Sequence, residues 1–149
     1  MTISLRKTLR SLYGRDGIQI EVPESAHVLE GQGVASLDNP NAAVREAINA
    51  PIGSAPLSEL LRRKQPTKVA ISISDITRPV PNEAIVSNLL AILNDSGIAD
   101  RQVLIIIATG MHRSSTSAER QEMLGDLLER CQVIDHRADD PDELVRVSD

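Results

Sequence analysis

A chain of 149 residues, 41% apolar and 25% charged, has the make-up of an ordinary globular protein with one hydrophobic core and is too short to expect two domains. Tyr13 is its only aromatic residue among Phe, Trp and Tyr, so the core must come from Ile, Leu, Val and Ala, and the stacking platforms of single-strand nucleic-acid binders are excluded. A net charge of −5 supplies no basic stripe for a phosphate backbone, so no nucleic-acid partner is expected.

Cys131 is the single cysteine, which rules out an internal disulfide and a cysteine-built zinc cluster and suits a reducing cytoplasm. The first residues are basic but lack the apolar centre of a secretion signal. No apolar run approaches the ~20 residues that cross a bilayer. The expectation is a soluble, cytoplasmic protein without a membrane partner.

In chain order, Ser11 to Pro23 alternates loosely through Ile18, Ile20 and Val22 around Gly14-Arg15-Asp16-Gly17, which predicts a β-hairpin. His27 to Asn39 has no period and reads as loop. Asn39-Pro40 opens a helix to Ala50 with Ala43, Val44, Ala47 and Ile48 on one face, and a short helix follows from Leu57 to Lys64, ended by Pro66. Val69 to Ile73 is a buried type of strand. Asn82 is positioned to cap a helix carrying Ile85, Val86, Leu89, Leu90 and Leu93 at helical spacing, with Gly97 as its stop. Val103 to Ala108 runs apolar without alternation, as a strand covered on both faces should. Thr116-Ser117-Ala118-Glu119 is a capping box, Met123, Leu124, Leu127 and Leu128 form the buried helical face, and Cys131 to Ile134 is a third short strand. An acidic stretch closes the chain as a solvated face or linker. The expected fold is α/β: a three-layer domain with a mainly parallel sheet, a β-α-β-α-β core preceded by a hairpin and short helices, with right-handed crossovers.

Ligands of open parallel sheets bind beyond the carboxyl ends of the strands. Asp75, Thr77 and Arg78 follow the first parallel strand, Thr109, Gly110, His112 and Arg113 the second, and His136 the third. Pro79 pushes Arg78 toward an extended backbone, directing a guanidinium suited to gripping a carboxylate or phosphate. Asp75 is placed to orient Arg78 or to accept from ligand hydroxyls, Thr77 and the amides at the Asn82 helix start to serve an anion, and Gly110 to let the backbone approach a ligand. His112 is the natural proton carrier. Taken singly, an Asp three residues before an Arg is often a loop-stabilising pair, and a histidine after a strand is often structural; that structural reading is the one adopted for His136. Two polar clusters at equivalent strand ends point instead to one shared site for an anionic ligand, with a candidate acid/base.

The octapeptide SDITRPVP at residues 74–81, followed by ATGMHR at 108–113, resembles the N-terminal domain of the nickel-dependent lactate racemase family, as do the early YGRDG turn leading to IEVP and the late VIDHRADD. The resemblance covers most of the chain, and the paired motifs in this order are specific. It implies an isomerase that racemises or epimerises a small 2-hydroxy acid by removing and returning a hydride, with a nickel-pincer nucleotide (nickel pyridinium-3,5-bisthiocarboxylate mononucleotide) as cofactor. By this resemblance Asp75, Ile76, Thr77 and Arg78 contact the cofactor and His112 exchanges a proton with the substrate hydroxyl; Arg78 and Gly110, read from the residues themselves, are the expected substrate-binding positions, and none of these residues is implied to bind the metal. The family's cofactor-anchoring lysine, nickel-ligating histidine and second catalytic histidine lie beyond the matching region. The resemblance therefore implies a single domain at residues 1–149, part of a longer enzyme whose C-terminal portion is a partner. The alternative is a non-catalytic α/β module that binds a nucleotide or organic anion.

Overall fold

The computed structural model describes residues 5–14 and 16–145, arranged as two compact units that meet in sequence between Ser36 and Leu37. In the first unit, β1 (Arg6–Ser11) pairs antiparallel with β2 (Ile18–Pro23), from Arg6 opposite Pro23 to Ser11 opposite Ile18. The hairpin thus starts five residues earlier than its sequence pattern suggests. Arg6 to Ser11 carries one large apolar residue, Leu9, so its alternation of half-buried Lys7 and Leu9 with exposed neighbours is hidden among charged side chains. At the tip the Gly17 amide donates to the Tyr13 carbonyl at 2.9 Å, and Gly17 holds φ +72° with the Ser11 carbonyl 2.9 Å from where a Cβ would stand. Arg15, part of the expected turn, lies outside the described residues.

The second unit opens with α1 (Pro40–Asn49), where Asn39 caps by accepting from the Ala42 amide at 3.0 Å and Pro40 sits in the first turn. Then follow α2 (Leu57–Lys64), β3 (Val69–Ser74), α3 (Asn82–Asp95), β4 (Val103–Ala108), α4 (Ser117–Leu124), α5 (Leu127–Arg130) and β5 (Gln132–Asp135). The three strands form a parallel sheet in the order β3-β4-β5, with Val69 opposite Val103 and Leu104 opposite Gln132. The architecture is the α/β one expected, a hairpin and a parallel β-α-β-α-β unit.

Three local expectations change. The cap position of α3 is Pro81, not Asn82; Asn82 is the first helical residue, buried, and its side-chain amide donates to the Ser74 carbonyl at 3.5 Å. The last helical stretch breaks at Gly125, whose φ of +50° only glycine holds without strain, and a Cβ there would stand 2.9 Å from Glu83 Oε1. The third strand lies one residue later than predicted, which puts Asp135 at its end. The predicted stop at Gly97 is as drawn: φ is +85°, and the Ile98 amide reaches back to the Leu93 carbonyl at 2.9 Å.

The core joins one face of the sheet, through Ile73, Val103, Ile105 and Ile107, to Val86, Leu90 and Leu93 of α3 and Met123, Leu124 and Leu127 beyond it. Along β4 these fully buried residues alternate with half-buried Leu104 and Ile106, so this strand is not covered equally on both faces as its unbroken apolar run suggests. Isoleucine satisfies strand propensity on either face, which erases the alternation from the sequence. Among the described residues no helix is long and apolar enough to cross a membrane.

Leu90 is wholly buried and Ile52 wholly exposed. Leu90→Ala should therefore cost about 2–5 kcal/mol in urea unfolding, whereas Ile52→Ala should stay within about 0.5 kcal/mol of the parent.

Candidate functional site

Ser74 and Ala108 are register partners at the ends of β3 and β4, so the loops that follow them begin side by side, about 4.8 Å apart. The first loop carries Asp75, Thr77 and Arg78; the second carries Thr109, Gly110, His112 and Arg113. Parallel pairing is what brings two segments separated by a whole helix to one edge.

Asp75 is the hub. It is 7% exposed, its Oδ1 accepts from the Thr77 hydroxyl at 2.6 Å, and its Oδ2 lies 2.6 Å from His112 Nδ1. The Thr77 bond, then the His112 bond, hold the Asp75 carboxyl below the usual carboxylate range against the opposing effect of burial. An ionised carboxylate only accepts hydrogen bonds, so His112 presents its proton at Nδ1, and the neutral ring keeps its lone pair at Nε2. The His112 side chain remains about half exposed, at 51%. A fixed ring with an accessible basic nitrogen is chemically a proton acceptor and, once charged, a donor.

Arg78 is joined to Asp75 only through the backbone, its amide donating to the Asp75 carbonyl at 3.2 Å. The side-chain pairing considered from the sequence is therefore not made: Asp75 orients His112 instead, and the Thr77 hydroxyl is used by Asp75. Among the described residues no hydrogen bond or ion pair engages the exposed Arg78 guanidinium. It lines a hollow of about 300 Å³ together with Asp75, Gly110, Met111 and His112. Gly110 has φ +58° and no atom within 4 Å of where a Cβ would stand, so the backbone is open to a ligand there. A second hollow of about 270 Å³ is lined by Asp75, Thr77, His112, Arg113 and Glu119, with the Asp75–His112 pair as the wall common to both. Ile76 borders this second space, but its side chain also packs on the core. A larger hollow, of about 670 Å³ near Lys68, Arg101 and Leu104, borders the amino ends of β3 and β4 and has no carboxylate or histidine in its lining.

The remaining polar residues build the frame. Arg113 binds both oxygens of Glu119, at 2.8 and 2.7 Å, and Glu119 in turn accepts from the Thr116 amide at 2.8 Å in the predicted capping box. His136 contributes its backbone: its amide donates to the Ile107 carbonyl at 2.9 Å, and its own carbonyl accepts from the Thr109 hydroxyl. Asp135 and Arg120, paired at 2.6 Å, were not singled out by sequence, because a strand drawn one residue short leaves Asp135 looking like the start of a solvated acidic run. Among the described residues no cluster of three His, Cys, Asp or Glu side chains is placed to hold a metal ion.

Chiefly its bonds to Arg113, with the Thr116 amide next, hold Glu119 at about 2 against an ordinary 4.5. A depressed carboxylate contributes stability that is complete above the ordinary value and lost as pH falls through the depressed one. Melting curves between pH 6 and pH 2 should therefore show a smaller acid-induced loss of Tm, developing below about pH 4.5, for Glu119→Gln than for the parent. By the same logic Thr77→Val should raise the Asp75 carboxyl titration toward the ordinary value, read by carbon-13 NMR.

Residues 13–149 match the family model of the lactate racemase N-terminal domain. The lactate racemase of Lactiplantibacillus plantarum is 36% identical over 105 residues, covering 70% of this chain and 24% of that protein. The lactate racemase of Thermoanaerobacterium thermosaccharolyticum is 36% identical over 94 residues, covering 62% and 21%. The chain thus spans about a quarter of the length of the curated relatives it matches. The solved structure of the lactate racemase apoprotein from Thermoanaerobacterium thermosaccharolyticum aligns with a TM-score of 0.64 at 30% identity, over 88% of this chain and 30% of that one. A Thermotoga maritima protein at 21% identity shares the fold, with a TM-score of 0.51 over 77% of this chain and 24% of that one. The match to the family model spans both loop motifs and the strands that present them, and the chain belongs to the lactate racemase N-terminal domain family.

Proposed function

We propose that this chain is the N-terminal portion of a cytoplasmic enzyme that racemises or epimerises a small 2-hydroxy acid, and that its site lies at the ends of β3 and β4. The observation that carries the reading is the Asp75–His112 contact at 2.6 Å beside the unengaged guanidinium of Arg78. A module that merely holds an anion needs the arginine; it has no use for a carboxylate that fixes which imidazole nitrogen carries the proton.

The residues present fit the anionic part of a nickel-pincer nucleotide. Arg78 offers a forked donor to a phosphate or carboxylate, and the backbone at Gly110 is open to close approach. Asp75 and Thr77 shape the same loop, with Ile76 contributing its backbone and one edge of the neighbouring space. By the family resemblance, nickel ligation falls to the C-terminal portion of the longer enzyme and to none of these residues. When bound, such a cofactor supplies a reversible hydride acceptor. This chain's own part is then to place and deprotonate the substrate. Arg78 binds the carboxylate of the 2-hydroxy acid or the cofactor phosphate, His112 Nε2 takes the hydroxyl proton, and Asp75 stabilises the imidazolium that forms. Proton return from the same nitrogen reverses the step. Racemisation needs a comparable group on the opposite face of the reacting carbon, and in this reading the C-terminal portion of the longer enzyme provides it.

The test uses the full-length enzyme produced together with the enzymes that make its cofactor. His112→Ala should lower turnover by about 10²–10⁴-fold while cofactor loading survives. Arg78→Ala should weaken loading or substrate binding by roughly 10–100-fold. Unchanged turnover in His112→Ala would overturn the proton-carrier role, whereas a full-length parent without turnover, whose ligand binding by calorimetry is weakened by Arg78→Ala and not by His112→Ala, would support the simple anion-binding module instead.

A further inference from the structure

We propose that the end of β5 is a positioning clamp for the loop that carries His112, with Asp135 as its principal residue. The inference rests on the assignment of His112 as the proton carrier and concerns what holds that histidine in place.

Consecutive residues of β5 and its exit grip opposite ends of the second loop. At the start of the loop, the Thr109 hydroxyl donates to the His136 carbonyl, and Thr109 is buried; the Thr109 carbonyl then accepts from the His112 amide at 3.0 Å. At the far end, the Ser115 amide donates to Asp135 Oδ2 at 3.2 Å, immediately before the helix cap at Thr116. His112 lies between these two anchors, so its distance from Asp75 depends on both.

The Asp135–Arg120 pair carries a sign of compromise. Arginine and carboxylate side chains favour two parallel hydrogen bonds. Here Arg120 forms one, at 2.6 Å, to the same Oδ2 that the Ser115 amide uses. Among the described residues, Arg120 Nε and Asp135 Oδ1 find no hydrogen-bond partner although both are buried, the Asp135 side chain being only 4% exposed. A pair serving stability alone would turn to satisfy all four atoms, because buried unmatched polar groups are costly. Sharing Oδ2 with a loop amide gives up that match in return for a fixed loop end. Arg120 holds the carboxylate and Asp135 holds the loop, and neither touches the hollow beside Arg78.

Hydrogen exchange of His112 Nδ1–H, followed by proton–nitrogen NMR on this chain, reads the clamp directly. Asp135→Ala should speed that exchange by about tenfold and shift the ring nitrogens. Leu124→Ala, which removes a wholly buried core side chain and none of the loop's hydrogen bonds, is the control and should leave both near parent values. Should Asp135→Ala fail to fold, Ser115→Pro removes the donor amide while keeping the Asp135–Arg120 pair, and the same change is expected. Parent-like exchange in a folded Asp135→Ala or Ser115→Pro variant overturns the clamp, as does an equal change in Leu124→Ala. Failure of the underlying functional reading shows separately, as full-length His112→Ala enzyme that still turns over.

Discussion

The site depends on one contact, the bond between a buried carboxylate on the first loop and an imidazole on the second. It exists because β3 and β4 are parallel and in register, so Asp75 and His112, 37 residues apart in sequence, emerge from adjoining strand ends. Slipping that register by one residue would exchange the faces of every side chain along the strand and separate the pair. The buried row of Ile73, Val103, Ile105 and Ile107 forbids such a slip. The chemistry at the edge is thus held by aliphatic packing some distance from it.

That packing uses no aromatic side chain. Leucine, isoleucine and valine fill the space between the sheet and α3, α4 and α5, with Met123 and Cys131 completing it. Burial keeps the Cys131 thiol above its ordinary range, consistent with a small packing residue and not a reactive one. Around this core the polar groups divide by task. Asp75 and Thr77 set the state of His112; Arg113 and Glu119 fix the start of α4; Asp135, Arg120 and the His136 backbone steady the loop.

Much of this architecture is legible in the sequence, because β-branched runs followed by capped helices leave little alternative to a parallel β-α-β-α-β unit. The two motif clusters could likewise be placed at strand ends from their position after the apolar runs. Their internal wiring could not. Asp75 lies three residues from Arg78 in sequence, which suggests a local pair, yet its partner is 37 residues away through the sheet. Sequence spacing reports neighbours along one element, while a carboxylate's partner across strands depends on register, which spacing does not specify. Asp135 was hidden for a related reason. Only the backbone pairing of β5 separates it from the acidic residues that follow. Similarly, β1 was obscured by charged residues, and the uneven covering of β4 by isoleucine on both of its faces.

Membership of the lactate racemase N-terminal domain family and the local geometry bear on different questions: the first identifies the kind of protein, the second identifies what these particular side chains can do. They meet at His112, whose proposed work requires its proton on one nitrogen and its lone pair on the other. Long-range proton–nitrogen NMR of the neutral ring measures that arrangement directly. The account predicts a single tautomer with hydrogen on Nδ1, converting to a mixture when Asp75 is replaced by Asn. A parent ring already mixed, or protonated at Nε2, would contradict it.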